Sequence, residues 1–352
     1  MINTATIALK PGMELGEDVY NFKNELLIPA NTVLDETHIK KISRHSIMCV
    51  TIKEDVDYAT THFEKVRLSK EFKKFEPVYN EYLSKYKAIM IGFVTNGITF
   101  HISQLMEIYR AITDYVPDDE HLLDYLYNML PSEDDLTHAH CLNSALIAGV
   151  FAKWLNLNEE DTDILIKCGF LYDIGKLKLP TELIWKPDKL TDLEYTKIKT
   201  HTFMGFEMIE SLNLDPHVGK AALMHHERCD GSGYPSMLRG DKIDRFAKYI
   251  AIIDSYEAMT SARMYRQSLH PFQVIANFEK AGFLIYEESI LRPILSHIAA
   301  TQMGLNVRLS DDRLAEIILI NQRFLSRPML RMSDGTIIDL SAEPNLRIEA
   351  IF

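Results

Sequence analysis

The 352-residue sequence is poor in cysteine and has no long hydrophobic run. Its cysteines are scattered without a Cys-x-x-Cys pair: Cys49, Cys141, Cys168 and Cys229. This spacing argues against a disulfide framework and predicts reduced thiols in a cytoplasmic protein. No apolar run approaches the roughly 20 residues that a membrane span needs, so we expect no membrane span. The first residues show no basic region followed by an apolar one, so a secretory signal is not expected.

Positive charge is also scarce. The sequence has 38 Lys and Arg residues against 50 Asp and Glu residues, a formal net charge of −12 at pH 7. Long nucleic acids are bound through broad basic faces, so this charge balance argues against DNA as a partner. A small anionic ligand can still bind where metal ions, Arg or Lys meet its charge locally.

Hydrophobic residues make up 47% of the sequence, which is enough to fill real cores. The length allows about two or three domains. We predict a mainly α protein: an all-helical bundle with a small α+β N-terminal module and a short β-hairpin C-terminal tail. The predicted parts are a strand-rich module (1–60), a helical linker or regulatory region (61–130), a helical domain (131–305) and a β-hairpin extension (306–352).

Short-range signals support the two ends of this division. In the N-terminal module, Leu26–Ile28 is a candidate strand, Asp35 can cap a helix that runs to about Arg44, and Ile47–Ile52 is a second strand. Residues 328–338 alternate around Ser333-Asp334-Gly335, a pattern typical of a hairpin. The N-terminal module carries no chemical constellation, so its role, input or dimerisation, stays open.

Helical signals dominate the middle of the sequence. A recurring aromatic stripe in the linker is more typical of packing than of a ligand site, and its members are Phe72, Phe75, Val78, Tyr79 and Tyr82. Further along, N-cap signals precede segments rich in histidine and aspartate. These are Thr191 with Glu194 ahead of His201, Asp215-Pro216 ahead of His225-His226, and Asp244 ahead of Asp254.

The most informative stretch runs from His225 to Pro235. Adjacent histidines can supply two imidazole ligands to one metal site. The residues that follow, Asp230-Gly231-Ser232-Gly233-Tyr234-Pro235, describe a sharply turned loop beside that site, here called the GYP loop. Upstream lies Tyr172-Asp173-Ile174-Gly175-Lys176, and downstream Asp254 lies in an apolar run, where an acid is rarely buried without a partner.

The order of these residues resembles the HD-GYP branch of the HD metal-dependent phosphohydrolases over roughly residues 136–266. The resemblance implies an all-helical HD domain that cleaves cyclic di-GMP to pGpG, GMP or both. It assigns divalent metal ligation to His140, Asp173, His201, His225, His226 and Asp254, with Asp173 as the bridging acid. A lone histidine is more often structural than a ligand, but the ordered combination favours the metal pocket. His138 is the rival of His140, and on a helix the two face different directions.

The resemblance also assigns contacts to the substrate. Lys176 would assist the leaving group near the scissile phosphate, which makes it a candidate catalytic residue with Asp173. Arg263 and Arg266 would clamp a phosphate through bidentate guanidinium contacts. Tyr234 would stack on or orient a guanine. The alternatives are a surface lysine at a helix end for Lys176 and a structural cap over the pocket for the GYP loop.

Two residues depart from the family pattern. Tyr172 stands where the family has the histidine of its HD pair, and a phenol titrates near pH 10 without the help of a metal. Tyr172 is therefore at best an unusual ligand, and one metal is expected to be weakly held or absent. Leu136 stands where some relatives carry a glutamate for a third metal, and the neighbouring Asp135 is turned by about 100° on a helix. We therefore expect one or two metal ions.

Two functions remain open from the sequence. The first is a phosphodiesterase. Its mixed His/carboxylate site suits iron, manganese or zinc, and we expect iron or manganese ahead of zinc. The second is a catalytically weakened receptor for cyclic di-GMP, or a scaffold for partners. Candidate partners besides cyclic di-GMP are GGDEF-type or other signalling proteins at the GYP loop, and a second copy of the chain in a homodimer.

Overall fold

The structure is a computed structural model that describes residues 2–22, 25–45, 47–53, 61–184, 186, 189–261, 268–282 and 284–352. Within these ranges the protein is mainly helical, with small sheets near both ends, which confirms the predicted fold class. Among the described helices, none combines the length and the apolar character that crossing a bilayer would take.

The helices, in chain order, are α1 (Glu36–Arg44), α2 (His62–Leu68), α3 (Lys70–Asn96), α4 (Ile102–Thr113), α5 (Asp119–Asn128), α6 (Leu136–Trp154), α7 (Glu159–Leu171), α8 (Thr181–Ile184), α9 (Asp192–Lys199), α10 (His201–Glu210), α11 (Pro216–Met224), α12 (Arg245–Thr260), α13 (Pro271–Ala281) and α14 (Glu288–Ala300). The strands are β1 (Ile2–Ala5), β2 (Glu14–Leu15), β3 (Val19–Tyr20), β4 (Leu26–Ile28), β5 (Cys49–Lys53), β6 (Asn306–Leu309), β7 (Leu314–Leu319), β8 (Met329–Met332), β9 (Ile337–Asp339) and β10 (Ile348–Ile351). A short 3-10 helix, Ile174–Lys178, follows α7.

The N-terminal module packs around its own hydrophobic cluster. Strands β1, β5 and β2 form an antiparallel sheet in that order, and β3 pairs with β4 beside it. Strand β4 has the predicted bounds, and α1 begins after the predicted cap, because the Asp35 carboxylate accepts a hydrogen bond from the His38 backbone N–H. The predicted strand at 47–52 is observed slightly later, as β5.

Helix α3 is the long element of the linker. Its buried residues recur every three or four positions, as the aromatic stripe predicts: Phe72, Phe75, Tyr79, Leu83, Tyr86, Met90 and Val94. Val78 and Tyr82 from the predicted stripe are only partly buried. Gly97 ends the helix in the left-handed conformation, which glycine adopts without steric cost. The helix packs on α4, on α6 and on the 3-10 helix that follows α7.

Helix α6 forms the centre of the bundle. Residues 137–152 of this helix are all buried, as expected for a helix that is apolar on every side. Its main neighbours are α7 and α12. A Cβ added to Gly169 of α7 would lie 2.5 Å from the Ala145 Cα, so only glycine lets the two backbones approach so closely.

The C-terminal region is larger than the predicted hairpin. Strands β8 and β9 form that hairpin, which is confirmed, but they belong to a five-stranded antiparallel sheet in the order β10-β6-β7-β8-β9. Alternating buried positions in β6 and β7 are continuous with the helical core. The proposed four-part division of the chain remains a prediction.

Replacing Gly169 with alanine should destabilise the bundle, because the new Cβ would overlap the α6 backbone. We expect Gly169→Ala to lower the free energy of unfolding by about 1–3 kcal/mol. Gly92→Ala is the matched control on α3, since its Cβ would meet nothing closer than Ile98 Cβ at 3.8 Å. The control should be neutral or stabilise by about 0.5–1 kcal/mol. Urea unfolding of both variants checks this, and equal effects would contradict the packing argument.

Candidate metal centre

The residues predicted as ligands come from the ends of three helices and from within two others. His140 lies on α6 and Asp254 on α12, whereas the others flank helix termini: Asp173 follows α7, His201 begins α10, and His225 and His226 follow α11. The predicted N-caps Thr191, Asp215 and Asp244 are all observed. The helix capped by Thr191 ends at Lys199, so His201 opens a new helix instead of lying inside that one.

A close backbone contact brings Asp173 next to His201. The 3-10 helix after Asp173 lies on the first turn of α10, and a Cβ on Gly175 would be only 2.0 Å from the His201 carbonyl oxygen. A side chain at position 175 would therefore push the two segments apart. Glycine here is a packing requirement of the site.

His201 and His225 point their unprotonated nitrogens at the same place. Each Nδ1 lies next to a backbone carbonyl, that of Ile198 at 2.6 Å and that of Ala222 at 2.9 Å. A carbonyl only accepts hydrogen bonds, so Nδ1 carries the proton and Nε2 carries a lone pair. The two Nε2 atoms are 3.3 Å apart. Two lone pairs that face each other repel unless a cation lies between them.

His226 completes this group, which we call the three-histidine cluster (His201, His225 and His226). One ligand atom from each lies within 4.8 Å of the others. Burial lowers the pKa of all three, and that of His225 to about 4. All three imidazoles are therefore neutral near pH 7, which is the form that ligates metals.

Asp173 supplies a buried negative charge next to the cluster. Its Oδ1 lies 3.4 Å from His201 Nε2 and 3.9 Å from His225 Nε2. Burial by itself would raise the pKa of the carboxyl, but Lys176 and the nearby histidines outweigh it and hold the pKa below its usual range. Lys176 Nζ is 2.5 Å from Asp173 Oδ2.

Within the described ranges, neither Asp173 oxygen has a hydrogen-bond partner of good geometry, despite the ion pair with Lys176. A fully buried carboxylate with unused lone pairs is costly unless a cation meets it. Three neutral imidazole nitrogens and one such carboxylate oxygen are the ligand types that iron, manganese and zinc accept. The residues present therefore fit a divalent metal ion.

The remaining predicted ligands form a second group, the His140 cluster (His140, Tyr172, Asp254 and Glu257). The His140 ring is held on both sides, because its Nδ1 donates to Glu257 and its Nε2 lies 3.1 Å from Asp254 Oδ1. Burial alone would lower its pKa, but the two carboxylates raise it to about 9. A protonated imidazole has no free lone pair. In this arrangement His140 is a hydrogen-bonding group, and its role as a ligand stays a prediction.

Tyr172 is fully buried within the His140 cluster. Its hydroxyl lies 2.5 Å from His140 Nε2 and donates to Asp254 Oδ1 at 3.2 Å. Burial and the nearby Asp254 raise its pKa well above the usual value, so it is a phenol near pH 7. Tyr172 therefore joins His140 to Asp254 through hydrogen bonds where the family pattern has a metal-binding imidazole. Its role as a metal ligand stays a prediction that this geometry does not favour.

Two buried acids in this region were not predicted. Glu257 lies one helical turn after Asp254, a spacing that could have indicated it. Glu227 directly follows the histidine pair and accepts hydrogen bonds from the backbone N–H groups of Ser236 and Leu238, at 2.6 and 2.9 Å. Glu227 thereby holds the segment that directly follows the GYP loop next to the histidine pair.

The GYP loop lies directly against the three-histidine cluster. A Cβ on Gly233 would be 2.4 Å from the His226 carbonyl oxygen, so glycine allows the loop to pack there. The Tyr234 ring stacks on the His226 ring, with centroids 4.6 Å apart, and Lys199 Nζ lies 5.1 Å from the centre of the tyrosine ring. Tyr234 thus supports His226, and its contact with a substrate stays a prediction.

A cavity of about 190 Å³ opens beside Asp173 and is lined by His140, Lys176 and Leu136, among others. Leu136 cannot ligate, and the neighbouring Asp135 is engaged by Lys87 at 2.6 Å. His138 is buried away from this cavity against Tyr86, so only His140 of the two rivals faces the site. Arg263 and Arg266 lie outside the described residues.

Comparison with known proteins agrees with this geometry. Residues 124–282 match the HD domain family. The cyclic di-GMP phosphodiesterase response regulator RpfG of Xanthomonas campestris is 37% identical over 42% of this chain and 39% of its own length. The 3'3'-cGAMP-specific phosphodiesterase 1 of Vibrio cholerae is 38% identical over 40% of this chain and 33% of its own length. A cyclic di-GMP phosphodiesterase of Thermotoga maritima is 30% identical over 48% of this chain and 47% of its own length.

The chain spans less than half the length of each of these curated relatives. Among solved structures, Bd1817, an HDG"Y"P protein from Bdellovibrio bacteriovorus, aligns over 84% of this chain and 99% of its own. Its TM-score is 0.51 and its identity 13%, a likeness of fold. Residues 124–282, which carry the histidine and aspartate cluster, thus match an HD domain. The similarity to these phosphodiesterases supports the HD-GYP likeness that the sequence motifs indicate.

Removing a histidine from the three-histidine cluster should remove metal. We expect His225→Ala to lose most of the divalent metal that the unmodified protein binds, because one of two converging lone pairs is gone. His138→Ala is the matched control, since His138 is also a buried histidine of lowered pKa, about 4, but lies outside the cluster. Elemental analysis and manganese titration calorimetry of both variants check this. A similar loss in both would refute the assignment.

Proposed function

We propose that the protein is a metal-dependent phosphodiesterase that hydrolyses cyclic di-GMP to pGpG, GMP or both. One observation carries this proposal: the lone pairs of His201 and His225 converge next to the buried carboxylate of Asp173. The names of the relatives support cyclic dinucleotides as the substrate class, since they are called cyclic di-GMP or 3'3'-cGAMP phosphodiesterases.

His201, His225, His226 and Asp173 would hold the metal ion. When bound, a divalent ion supplies a Lewis acid for the phosphoryl oxygen and lowers the pKa of a bound water. The mixed nitrogen and oxygen ligands of this site suit iron, manganese and zinc, and we propose iron or manganese as the ions to test first.

Side chains of the protein would bind and orient the phosphodiester. Burial alone lowers the pKa of Lys176, but Asp173 outweighs it and raises that pKa, so Lys176 is an ammonium group at the cavity wall. This position suits a group that meets phosphate charge and gives a proton to the leaving oxygen. We assign Arg263 and Arg266 to the phosphate clamp and Tyr234 to a guanine contact, as the resemblance implies.

Mutation should separate chemistry from binding. Asp173→Asn should abolish turnover and metal binding, because it removes the charge that the three-histidine cluster needs. Arg263→Ala and Arg266→Ala should instead weaken cyclic di-GMP binding by about 1.5–3 kcal/mol each, the worth of a charge-assisted hydrogen bond. Arg245→Ala is the control, since Arg245 is an arginine paired with Asp161 away from the cavity. Anaerobic turnover assays with iron or manganese and calorimetry of each variant check these outcomes.

The results also decide between the enzyme and a receptor. Tight binding of cyclic di-GMP without turnover by the metal-loaded protein would favour a receptor. The Tyr172 phenol in the His140 cluster is the observation that suggests such a weakened site.

The arginine variants have their own contradicting outcome. Loss of cyclic di-GMP binding in Arg245→Ala equal to that in Arg263→Ala and Arg266→Ala would contradict the phosphate clamp. Docking of signalling proteins at the GYP loop and a homodimer remain proposals.

Tyr172 should limit the site to a single metal ion. Its hydroxyl already joins His140 to Asp254, so no unshared lone pair of His140 is left for a second ion. We expect Tyr172→His to bind a second ion and Tyr172→Phe to bind only one. Metal analysis and the electron paramagnetic resonance of manganese-loaded protein check this, because two neighbouring Mn²⁺ ions couple magnetically. Two ions in the unmodified protein, or no gain in Tyr172→His, would contradict it.

A further inference from the structure

A continuous chain of buried hydrogen bonds runs from the linker helix α3 to the His140 cluster. It begins at Tyr79, whose ring and hydroxyl are fully buried between α3 and the bundle. The Tyr79 hydroxyl donates to Asn143 Oδ1 on α6 at 2.6 Å. These residues are 64 positions apart in the sequence, so this contact is purely tertiary.

The next links lead to the metal centre. Asn143 Nδ2 donates to Glu257 Oε1 on α12 at 3.0 Å, and the other Glu257 oxygen accepts from His140 Nδ1. The Glu257 carboxylate fixes the orientation of the Asn143 amide, because an ionised carboxylate only accepts hydrogen bonds and a flipped amide would present its oxygen to it. The Asn143 oxygen is thereby left to accept from Tyr79.

The Glu257 carboxylate is thereby held from several directions. Besides Asn143 and His140, the Ser261 hydroxyl donates to Glu257 Oε1 at 2.5 Å. A buried carboxylate whose acceptor sites are filled is rigid, and hydrogen bonds in such surroundings reinforce one another. Because His140 Nδ1 is bound to this carboxylate, the carboxylate sets the plane of the ring and the direction of Nε2.

Helix α3 also contacts the other side of the metal centre. Tyr86 donates its hydroxyl to the Phe170 carbonyl at 2.5 Å, and Lys178 Nζ donates to the Val94 carbonyl at 2.6 Å. The helix thus holds the segment on either side of Asp173 and, through Tyr79, the ring of His140. In the chain it stands between the N-terminal module and the bundle.

We propose that Tyr79 is a positioning residue: its hydroxyl sets the orientation of His140 through Asn143 and Glu257, so that a shift of α3 against α6 is transmitted to the metal centre. Tyr79 touches neither the three-histidine cluster nor the cavity beside Asp173. Only the effect on turnover rests on the proposed function.

The test compares two tyrosines. Tyr79→Phe removes the hydroxyl that begins the chain, whereas Tyr127→Phe removes a hydroxyl on α5 that donates to a backbone carbonyl, that of Ser268. The readout is the nuclear magnetic resonance signal of the His140 Nδ1–H in metal-free protein, assigned by its absence in His140→Gln. We expect Tyr79→Phe to shift this signal and Tyr127→Phe to leave it in place. Asn143→Ala, which breaks the chain one link closer, should shift it further.

Turnover provides the second readout. In metal-loaded protein, Tyr79→Phe should lower kcat roughly 2- to 10-fold with KM unchanged, the factor that one net hydrogen bond corresponds to. An unmoved His140 signal in Tyr79→Phe and Asn143→Ala would overturn the proposal, as would an equal shift in Tyr127→Phe. A shifted signal in a protein that turns over no cyclic dinucleotide supports the positioning role and counts against the proposed function alone.

Discussion

The buried carboxylate of Asp173 is the constraint on which the site depends. Its charge lies in the bundle without a well-aligned hydrogen-bond donor among the described residues, and Lys176 meets only one of its oxygens. The other oxygen faces His201 and His225, whose Nε2 atoms converge at 3.3 Å. An anion and two converging lone pairs are stabilised by a cation. The electrostatics of the site therefore favours a metal ion, as does the match to the HD domain.

The bundle makes this arrangement possible through close backbone contacts. Gly169 lets α7 lie against α6, and Gly175 lets the segment after Asp173 lie against the first turn of α10. Most of the candidate ligands lie at helix ends, so the packing of one helix against the next sets the distances between them. The GYP loop packs on the same centre at Gly233, and Glu227 holds the segment that directly follows the loop.

A single residue divides the candidate ligands into two groups with different chemistry. Tyr172 connects His140 to Asp254 by hydrogen bonds, and Glu257 holds the opposite side of the His140 ring. His140 is therefore tied to carboxylates and, through Asn143, to Tyr79 of the linker helix. The three-histidine cluster remains open to a metal ion, whereas the His140 cluster connects that centre to the rest of the protein.

The sequence by itself determined the local features and the membership of the site. Helix caps such as Asp35 and Asp244 were predictable, because the capping carboxylate and the N–H groups it binds are only two or three residues apart. The HD domain was predictable because its histidines and acids occur in a characteristic order along the sequence. The short strands β6, β7 and β10 were missed, since few alternating residues give a weak signal. Only the tertiary structure decided that Glu257 holds His140 and that Tyr79 reaches Asn143. These pairs are 117 and 64 residues apart, so helix packing, which no local pattern encodes, brings them together.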